Sequence, residues 1–412
     1  MNRINRIGFC VIILILGCTS FLHSQQDSSL TISSSEKTNN DTVVVVTHPQ
    51  DVSDAAGYVI KNNSFGELRI YGSVRISGAY DLNGLTDANN FSTYEILVGD
   101  ETINQPRFFM SPYQTRLGIE VNRKSALGKI KVKIESDFLG QNNGLRIRHA
   151  YVESGNFLVG QTWSSFTDVN SIPTTVDADG PNSCVRLRTV RLRYSDVLLK
   201  SNLRYVVSLE APDPDIILPD SLSGRIPSQF LPDIAGYIQY DYSRGYVLTA
   251  GIIRGITAKD TATSSEQILG YGILLAGIYE VDKSDKLLFQ VVYGQAISRF
   301  ITALNGKGLD LVYNPQTNLF EASNEAGFLL SYSHKWRYDA SSTITFGRVV
   351  VFNKDFEPPD AFKYSYYFSG NIFWNPLLGM RLGVELSHGY RINKDDQSGS
   401  ATRIGFIFYA DF

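Results

Sequence analysis

Gly66-Glu-Leu-Arg-Ile-Tyr-Gly-Ser-Val-Arg-Ile-Ser77 is a segment with two unlike faces. Leu68, Ile70, Gly72, Val74 and Ile76 fall on one side. Arg69, Tyr71, Ser73, Arg75 and Ser77 fall on the other. Side chains alternate across an extended strand, so this period of two predicts one apolar and one polar face. The pattern returns at Leu117, Ile119 and Val121 against Arg116, Gly118, Glu120 and Asn122. It returns again at Ile130, Val132 and Ile134 against Lys129, Lys131, Lys133 and Glu135. No segment keeps a helical period.

From Phe65 onward the breaks between such segments also alternate. Brief turns, such as 124–128, 154–156, 243–245 and 282–285, are interleaved with longer connections at 83–112, 139–144, 164–184, 211–232, 301–322 and elsewhere. Sixteen strands fit between the breaks: 66–82, 113–123, 128–138, 145–153, 156–163, 185–194, 199–210, 233–242, 246–258, 266–281, 285–300, 323–337, 341–353, 361–374, 378–393 and 399–412. An even number brings both ends of a closed sheet to one side. Short turns on that side and long loops on the other are the layout of an outer-membrane barrel. The expected fold is all-β: a sixteen-stranded antiparallel transmembrane β-barrel. A soluble sandwich or propeller is the alternative. Against it stand the lack of a blade-length repeat and the aromatic clusters at strand ends (Trp336, Tyr338; Tyr364–Trp374). A large open sheet would also need its edges protected.

The chain ends agree with export. Residues 1–24 carry Arg3 and Arg6, a short apolar run and a small residue at Ser24, which reads as a signal peptide. Ile15-Leu-Gly-Cys18 leaves a lipoprotein signal as the rival reading. Losing Arg3 and Arg6 from 38 basic residues leaves 36 against 41 acids, formally −5, so the balance points to no nucleic-acid partner. Cys184 remains alone after cleavage, which excludes an internal disulfide and a cysteine metal cluster. Residues 25–64 are polar and poor in aromatics. They read as a periplasmic extension, mostly disordered, with a possible strand at 43–46. The last stretch, Arg403-Ile-Gly-Phe-Ile-Phe-Tyr-Ala-Asp-Phe412, is a strand ending on an aromatic residue. Phe412 matches the signal by which a barrel-assembly machinery takes up such proteins.

If the apolar faces meet outer-membrane lipid, the polar faces line water. The alternation then sends Arg75, Arg116, Lys131, Arg146, Arg148, Arg186, Arg188, Arg204 and Arg403 inward, with a β-bulge near Thr189 keeping Arg191 and Arg193 inward too. Acids sharing this wall are fewer: Glu120, Glu135, Asp137, Glu210 and Glu385. A wall basic over the first seven strands and the last two favours small anionic solutes. The bland alternative is that these charges merely pair with acids and keep the wall wet.

One stretch breaks the alternation. Gly160-Gln-Thr-Trp-Ser-Ser-Phe-Thr-Asp168 is followed by Val176-Asp-Ala-Asp-Gly-Pro-Asn182 and the Arg-rich Val185-Arg-Leu-Arg-Thr-Val-Arg-Leu-Arg193. Together with Gly66–Arg75 it resembles the DcaP-like family of outer-membrane porins, closely through about Tyr194 and only in general style beyond. The resemblance implies a homotrimeric diffusion porin in the outer membrane of a Gram-negative-type bacterium, passing small hydrophilic solutes and above all dicarboxylates. It also implies a periplasmic N-terminal extension that can be a coiled coil, although no heptads occur here.

On that reading 164–184 is the third long loop, folded into the barrel as its constriction. Asp168, Asp177 and Asp179 would face the basic wall, Gly180-Pro181 would set the bend, and Trp163 and Phe166 would pin the loop base. No enzyme is expected, and no cofactor or metal. A hydrolase would need a nucleophile beside a base. His149 near Ser164 is the nearest approach to one, and Asp177 with Asp179 the nearest to a cation site. A structural or adhesive barrel with a plugged lumen is the third reading.

Overall fold

The structure is a computed structural model. It describes residues 37–38, 41–45, 57–62, 66–85, 90–99, 106–125, 128–198, 202–218, 229, 231–259 and 265–412. The expected signal peptide and much of the expected polar extension lie outside these residues.

Sixteen strands form the barrel: β1 (Gly66–Asn83), β2 (Arg107–Ser111, resuming as Arg116–Ser125), β3 (Gly128–Asp137), β4 (Arg146–Ser154), β5 (Phe157–Trp163), β6 (Arg188–Val197), β7 (Leu203–Glu210), β8 (Asp233–Tyr242), β9 (Gly245–Lys259), β10 (Ser265–Glu280), β11 (Asp285–Gln295), β12 (Asn324–Arg337), β13 (Ala340–Val351), β14 (Phe362–Trp374), β15 (Met380–Asn393) and β16 (Ser398–Asp411). Each pairs antiparallel with the next. β16 pairs with β1 from Thr402↔Asn83 to Asp411↔Ser73, which closes the sheet. Closure matters because a backbone facing hydrocarbon must find every hydrogen-bond partner within the protein.

Most expected boundaries fall within two residues of the observed ones. The larger differences sit where loops enter the barrel and at the turn after β6, where β6 runs to Val197 rather than 194 and β7 begins at Leu203 rather than 199. Residues 107–111, expected as loop, pair with β1 as the first part of β2. β6 begins at Arg188 rather than 185, and β11 ends at Gln295 rather than 300. Within the expected 301–322 loop, Leu311–Asn314 and Leu319–Ala322 form a separate hairpin. The expected bulge near Thr189 is absent: Arg188–Tyr194 pairs with Trp163–Phe157 without a break. A register shift lies instead between Glu135 and Ser136, opposite His149 and Ile147, with Arg148 as the extra residue.

Part of the polar extension is ordered as strand. Lys37–Thr38 pairs with Asp41–Val45, which pairs with Tyr58–Asn62, which pairs with the first residues of β1 (Tyr58↔Ile70 to Asn62↔Gly66). The last of these strands lies beside β1 just beyond the chain end. There Phe412 and Gly72 exchange backbone hydrogen bonds of 2.9 and 3.0 Å. The Phe412 ring lies so close to Gly72 that a β-carbon there would meet it at 2.4 Å and the ring would have to shift.

Apolar side chains form an outward belt that includes Val74, Leu117, Val159, Leu192, Ile253, Ile344 and Val384. The inner face is divided. Around β9 to β13 it is apolar, through Leu248, Ala250, Ile252, Leu274, Val292 and Val349, and two loops cover it. The 164–187 connection contributes Phe166 and Val185; the 296–323 connection contributes Ile297, Phe300, Ile301 and Leu304. This interior layer is the main core of the protein. The wall from β1 to β4 keeps its polar and charged side chains, while the third loop touches β16 through Val176 and β7 through Glu210. A covered strand face can bury apolar groups, whereas a wetted one is polar at little cost.

Candidate pore constriction

The third long loop leaves β5 at Trp163 and turns at once onto the inner wall. Ser164 Oγ donates to Glu210 at 2.6 Å, and the Ser165 N–H donates to the same carboxylate at 2.7 Å. Phe166 is fully buried, edge-on to Phe300 with ring centroids 5.4 Å apart. It therefore pins the loop to the far side, over β10 and the 296–323 loop, rather than to the basic wall. Tyr246 donates to Asp168 at 2.8 Å. Gln290 Nε2 donates to the Asp168 carbonyl at 2.9 Å, and Gln290 Oε1 accepts from the Val185 N–H at 2.9 Å. Burial pushes the Asp168 carboxyl up against the opposing pull of these hydrogen bonds.

The loop then crosses toward β14 and β15. The Val176 N–H donates to Glu385 at 3.2 Å, and Asn371 donates to the Thr174 carbonyl at 2.9 Å. Asp177 accepts from the N–H groups of Phe91 (2.6 Å) and Asp179 (2.9 Å) and lies 4.0 Å from Arg403. Burial, and next the charge of Asp179, push its carboxyl up to about 7, against the pull of Arg403. Asn182 ties the first long loop to the third: its Oδ1 accepts from the Thr93 N–H at 2.5 Å, and its Nδ2 donates to the Phe91 carbonyl at 2.8 Å. Gly180 has φ +73°, a left-handed conformation that glycine tolerates, and the Pro181 carbonyl accepts from Cys184 at 3.2 Å. Burial raises the Cys184 thiol, which sits beside Thr302.

The three aspartates thus separate. Asp168 and Asp177 are spent on holding the loop. Asp179 alone of them lines a cavity of about 350 Å³, together with Arg146, Trp163, Arg186, Arg188 and Thr302. Arg188 sits 3.7 Å above the Trp163 ring, and the Arg186 guanidinium lies 5.6 Å from it. Arg186 Nη1 also donates to the Ala178 carbonyl at 2.7 Å, so the loop backbone aims it.

Much of the basic wall proves to be paired. Arg146 bonds Asp137 at 3.0 and 2.8 Å. Arg148 reaches Glu135 at 2.8 Å and Asp137 at 2.7 Å. Lys131 pairs with Glu120 at 3.1 Å, Arg193 with Glu153 at 2.6 Å, and Arg403 with Asp81 at 2.5 Å. Arg191 donates to Ser165 at 2.8 Å, 3.9 Å from Glu210. Arg75 lies 4.3 Å over Tyr409 and donates to Ser73 at 2.9 Å. Arg204 follows the inward phase of Val206, Ser208 and Glu210 and is exposed. Of the wall residues named, and among the described residues, Arg75, Arg116, Arg186, Arg188 and Arg204 have no carboxylate within ion-pair distance. Arg188 Nε and Nη2, and Arg116 Nε, are buried without any hydrogen-bond partner.

Two features escaped sequence reasoning. One is the covered half of the wall. The other is the cluster beneath the 296–323 loop, where fully buried Arg254 reaches Asp233 (3.2 Å), Asp310 (2.6 Å) and the Ala296 carbonyl (2.5 Å). Arg254 falls within an otherwise apolar segment, which was the available signal. The hydrolase reading finds no geometry: His149 Nδ1 faces Thr162 Oγ1 at 2.9 Å, and Ser164 is engaged by Glu210. Among the described residues no three His, Cys, Asp or Glu side chains converge on a point that could hold a metal ion.

Comparison with known proteins agrees with this architecture. The chain is similar in fold to the outer membrane channel DcaP of Acinetobacter baumannii. That match has a TM-score of 0.74 and 22% identity over 85% of this chain and 99% of that one. It is also similar to an anion-selective porin from Comamonas acidovorans (TM-score 0.56, 12% identity, 84% and 99% covered). A third likeness is to Salmonella typhi OmpF in complex with daunomycin (TM-score 0.52, 12% identity, 85% and 99% covered). No curated protein sequence matches. The DcaP outer membrane protein family profile matches residues 25–412, nearly the whole chain. The chain therefore belongs to the DcaP outer membrane protein family, a family of outer-membrane channels and not of enzymes.

Proposed function

We propose that this channel passes small hydrophilic solutes by diffusion and prefers anions, the dicarboxylates implied by its family resemblance among them. The observation that carries the preference is the imbalance at the constriction. Arg186 and Arg188, which line the cavity, have no acid partner among the described residues, while Asp168 and Asp177 are turned into loop anchors. An uncompensated positive lining attracts anions and repels cations from the narrowest part of the path. The Trp163 ring under Arg188 holds that charge in place without neutralising it. The anion-selective title of one fold relative is consistent with this reading and is a property of that relative.

The same reading has the protein working as a homotrimer, with its extension in the periplasm and Phe412 presented to the assembly machinery. Liposome swelling tests the solute range. The expected result is rapid entry of sugars and succinate into vesicles holding the wild-type protein, and a slowed succinate rate relative to sugars after Arg186→Ala with Arg188→Ala. An unchanged succinate-to-sugar ratio in that double variant would remove the arginines from the mechanism. No swelling at all would favour a plugged structural barrel.

A further inference from the structure

The arginines of the basic wall point inward. Arg348, on β13, points the other way: it is exposed and follows the outward phase of Ile344 and Phe346, while Val349 and Val351 are buried inside. Its guanidinium lies 5.1 Å from the centre of the Tyr364 ring and 5.2 Å from that of Tyr366, both on β14. Phe346 stacks on Tyr366 at 6.1 Å and meets Phe328 and Phe368 at centroid separations of 6.0 and 4.9 Å. Arg348 thus stands in an outward patch of aromatic rings. No acid of that face answers it. β12, β13 and β14 contain one carboxylate, Glu325, which is fully buried on the inner side, where it accepts from the Ile297 N–H. Among the described residues Arg348 makes no ion pair. β13 ends at Val351, where the 352–361 connection begins, so Arg348 lies about 10 Å along the strand from its long-loop end. Long loops of an outer-membrane barrel are extracellular, which puts Arg348 at the level of the outer leaflet.

We propose that this patch binds a phosphorylated glycolipid of the outer leaflet, with Arg348 on its phosphate and the phenylalanine rings against its acyl chains. A cation on the lipid face is destabilising unless an anion meets it. A phosphate does so, and it takes two parallel hydrogen bonds from the planar guanidinium. Tyr364 and Tyr366 hold that guanidinium by cation–π attraction without neutralising it. Phe328, Phe346 and Phe368 continue the same surface with apolar area for the lipid tails. The site lies outside the lumen and is independent of what the pore passes.

The test titrates the full-length protein in detergent micelles with diphosphoryl lipid A, followed by native mass spectrometry, with the dephosphorylated lipid as control. One basic residue near a membrane surface is worth about fivefold in affinity for an anionic lipid. Arg348→Ala should therefore bind the diphosphoryl lipid about fivefold more weakly than wild type, with Arg348→Lys between them, and inorganic phosphate should not displace it. Equal affinity of the wild type for the two lipids overturns the proposal without recourse to a variant. So does wild-type affinity in a folded, heat-modifiable Arg348→Ala. Displacement by inorganic phosphate would mark a free-anion site instead. A changed oligomeric state in Arg348→Ala with lipid affinity intact would assign the patch to a contact between copies of the chain, and each of these results also overturns the proposal.

Discussion

Replacing Phe166 by alanine should free the third loop without opening the barrel. Phe166 is fully buried, edge-on to Phe300, and so tight over β10 that a β-carbon at Gly272 would approach its ring to 2.8 Å. Truncating a buried phenylalanine costs about 3–5 kcal/mol, the aromatic pair included. The polar anchors cannot absorb that loss. Each hydrogen bond, such as Tyr246 to Asp168 or Gln290 to the loop backbone, returns only about 1 kcal/mol net, while ordering one residue's backbone costs about 1–2 kcal/mol. Apolar burial therefore decides whether the loop stays docked. The strands depend on their own pairing and on closure, so the variant should still assemble and run as a folded, heat-modifiable barrel. Single-channel recording should then show larger and noisier conductance than wild type. Unaltered conductance and noise in a correctly folded variant would refute the view that Phe166 is what holds the loop in the lumen.

Two further outcomes follow from the loop geometry. Asp177, held up near 7 when docked against about 4 when released, favours the protonated form in the docked loop. Docking is then unaffected below about pH 4, weakens as pH rises toward 7 and changes no further above it, a loss of order 4 kcal/mol. Current noise should grow between pH 4.5 and 7.5 in wild type and stay flat in Asp177→Asn; a flat wild-type profile would contradict this. Gly180→Ala meets no atom closer than 3.5 Å, so its cost comes only from the left-handed backbone, about 1–2 kcal/mol. Faster hydrogen exchange confined to 174–184 is expected, and exchange identical to wild type would show that the turn is not strained.

The wall was readable in the sequence because its grammar is local. Residues such as Leu68 and Arg69 declare their faces by alternation, and the count of sixteen followed from turns that any strand pair needs. The covered wall was less readable. Leu248, Ala250 and Ile252 alternate with residues such as Thr249 and Gly251, yet here the apolar set points inward, because Phe166 and Phe300 arrive from distant loops to cover it. The site was legible in residue types and not in roles. Asp168, Asp177 and Asp179 look alike in sequence. Only Tyr246 and the Phe91 N–H, from elsewhere in the chain, separate two anchors from the one carboxylate left facing the cavity. The same holds for the arginines: Arg146 and Arg188 share a pattern, but Asp137 stands beside one and Trp163 beneath the other.

On the proposed function, the uncompensated Arg186 and Arg188 set the sign of the pore's selectivity. At about 4 Å in water one charge acts on another with about 1 kcal/mol, roughly fivefold in relative permeability per arginine, less as salt screens it. The direct measurement is the zero-current potential of wild-type protein in a planar bilayer under a potassium chloride gradient. Selectivity for chloride, reduced in steps by Arg188→Ala and then by Arg186→Ala, is the expected result. A potential of the sign set by potassium, or one that neither substitution moves, would contradict it.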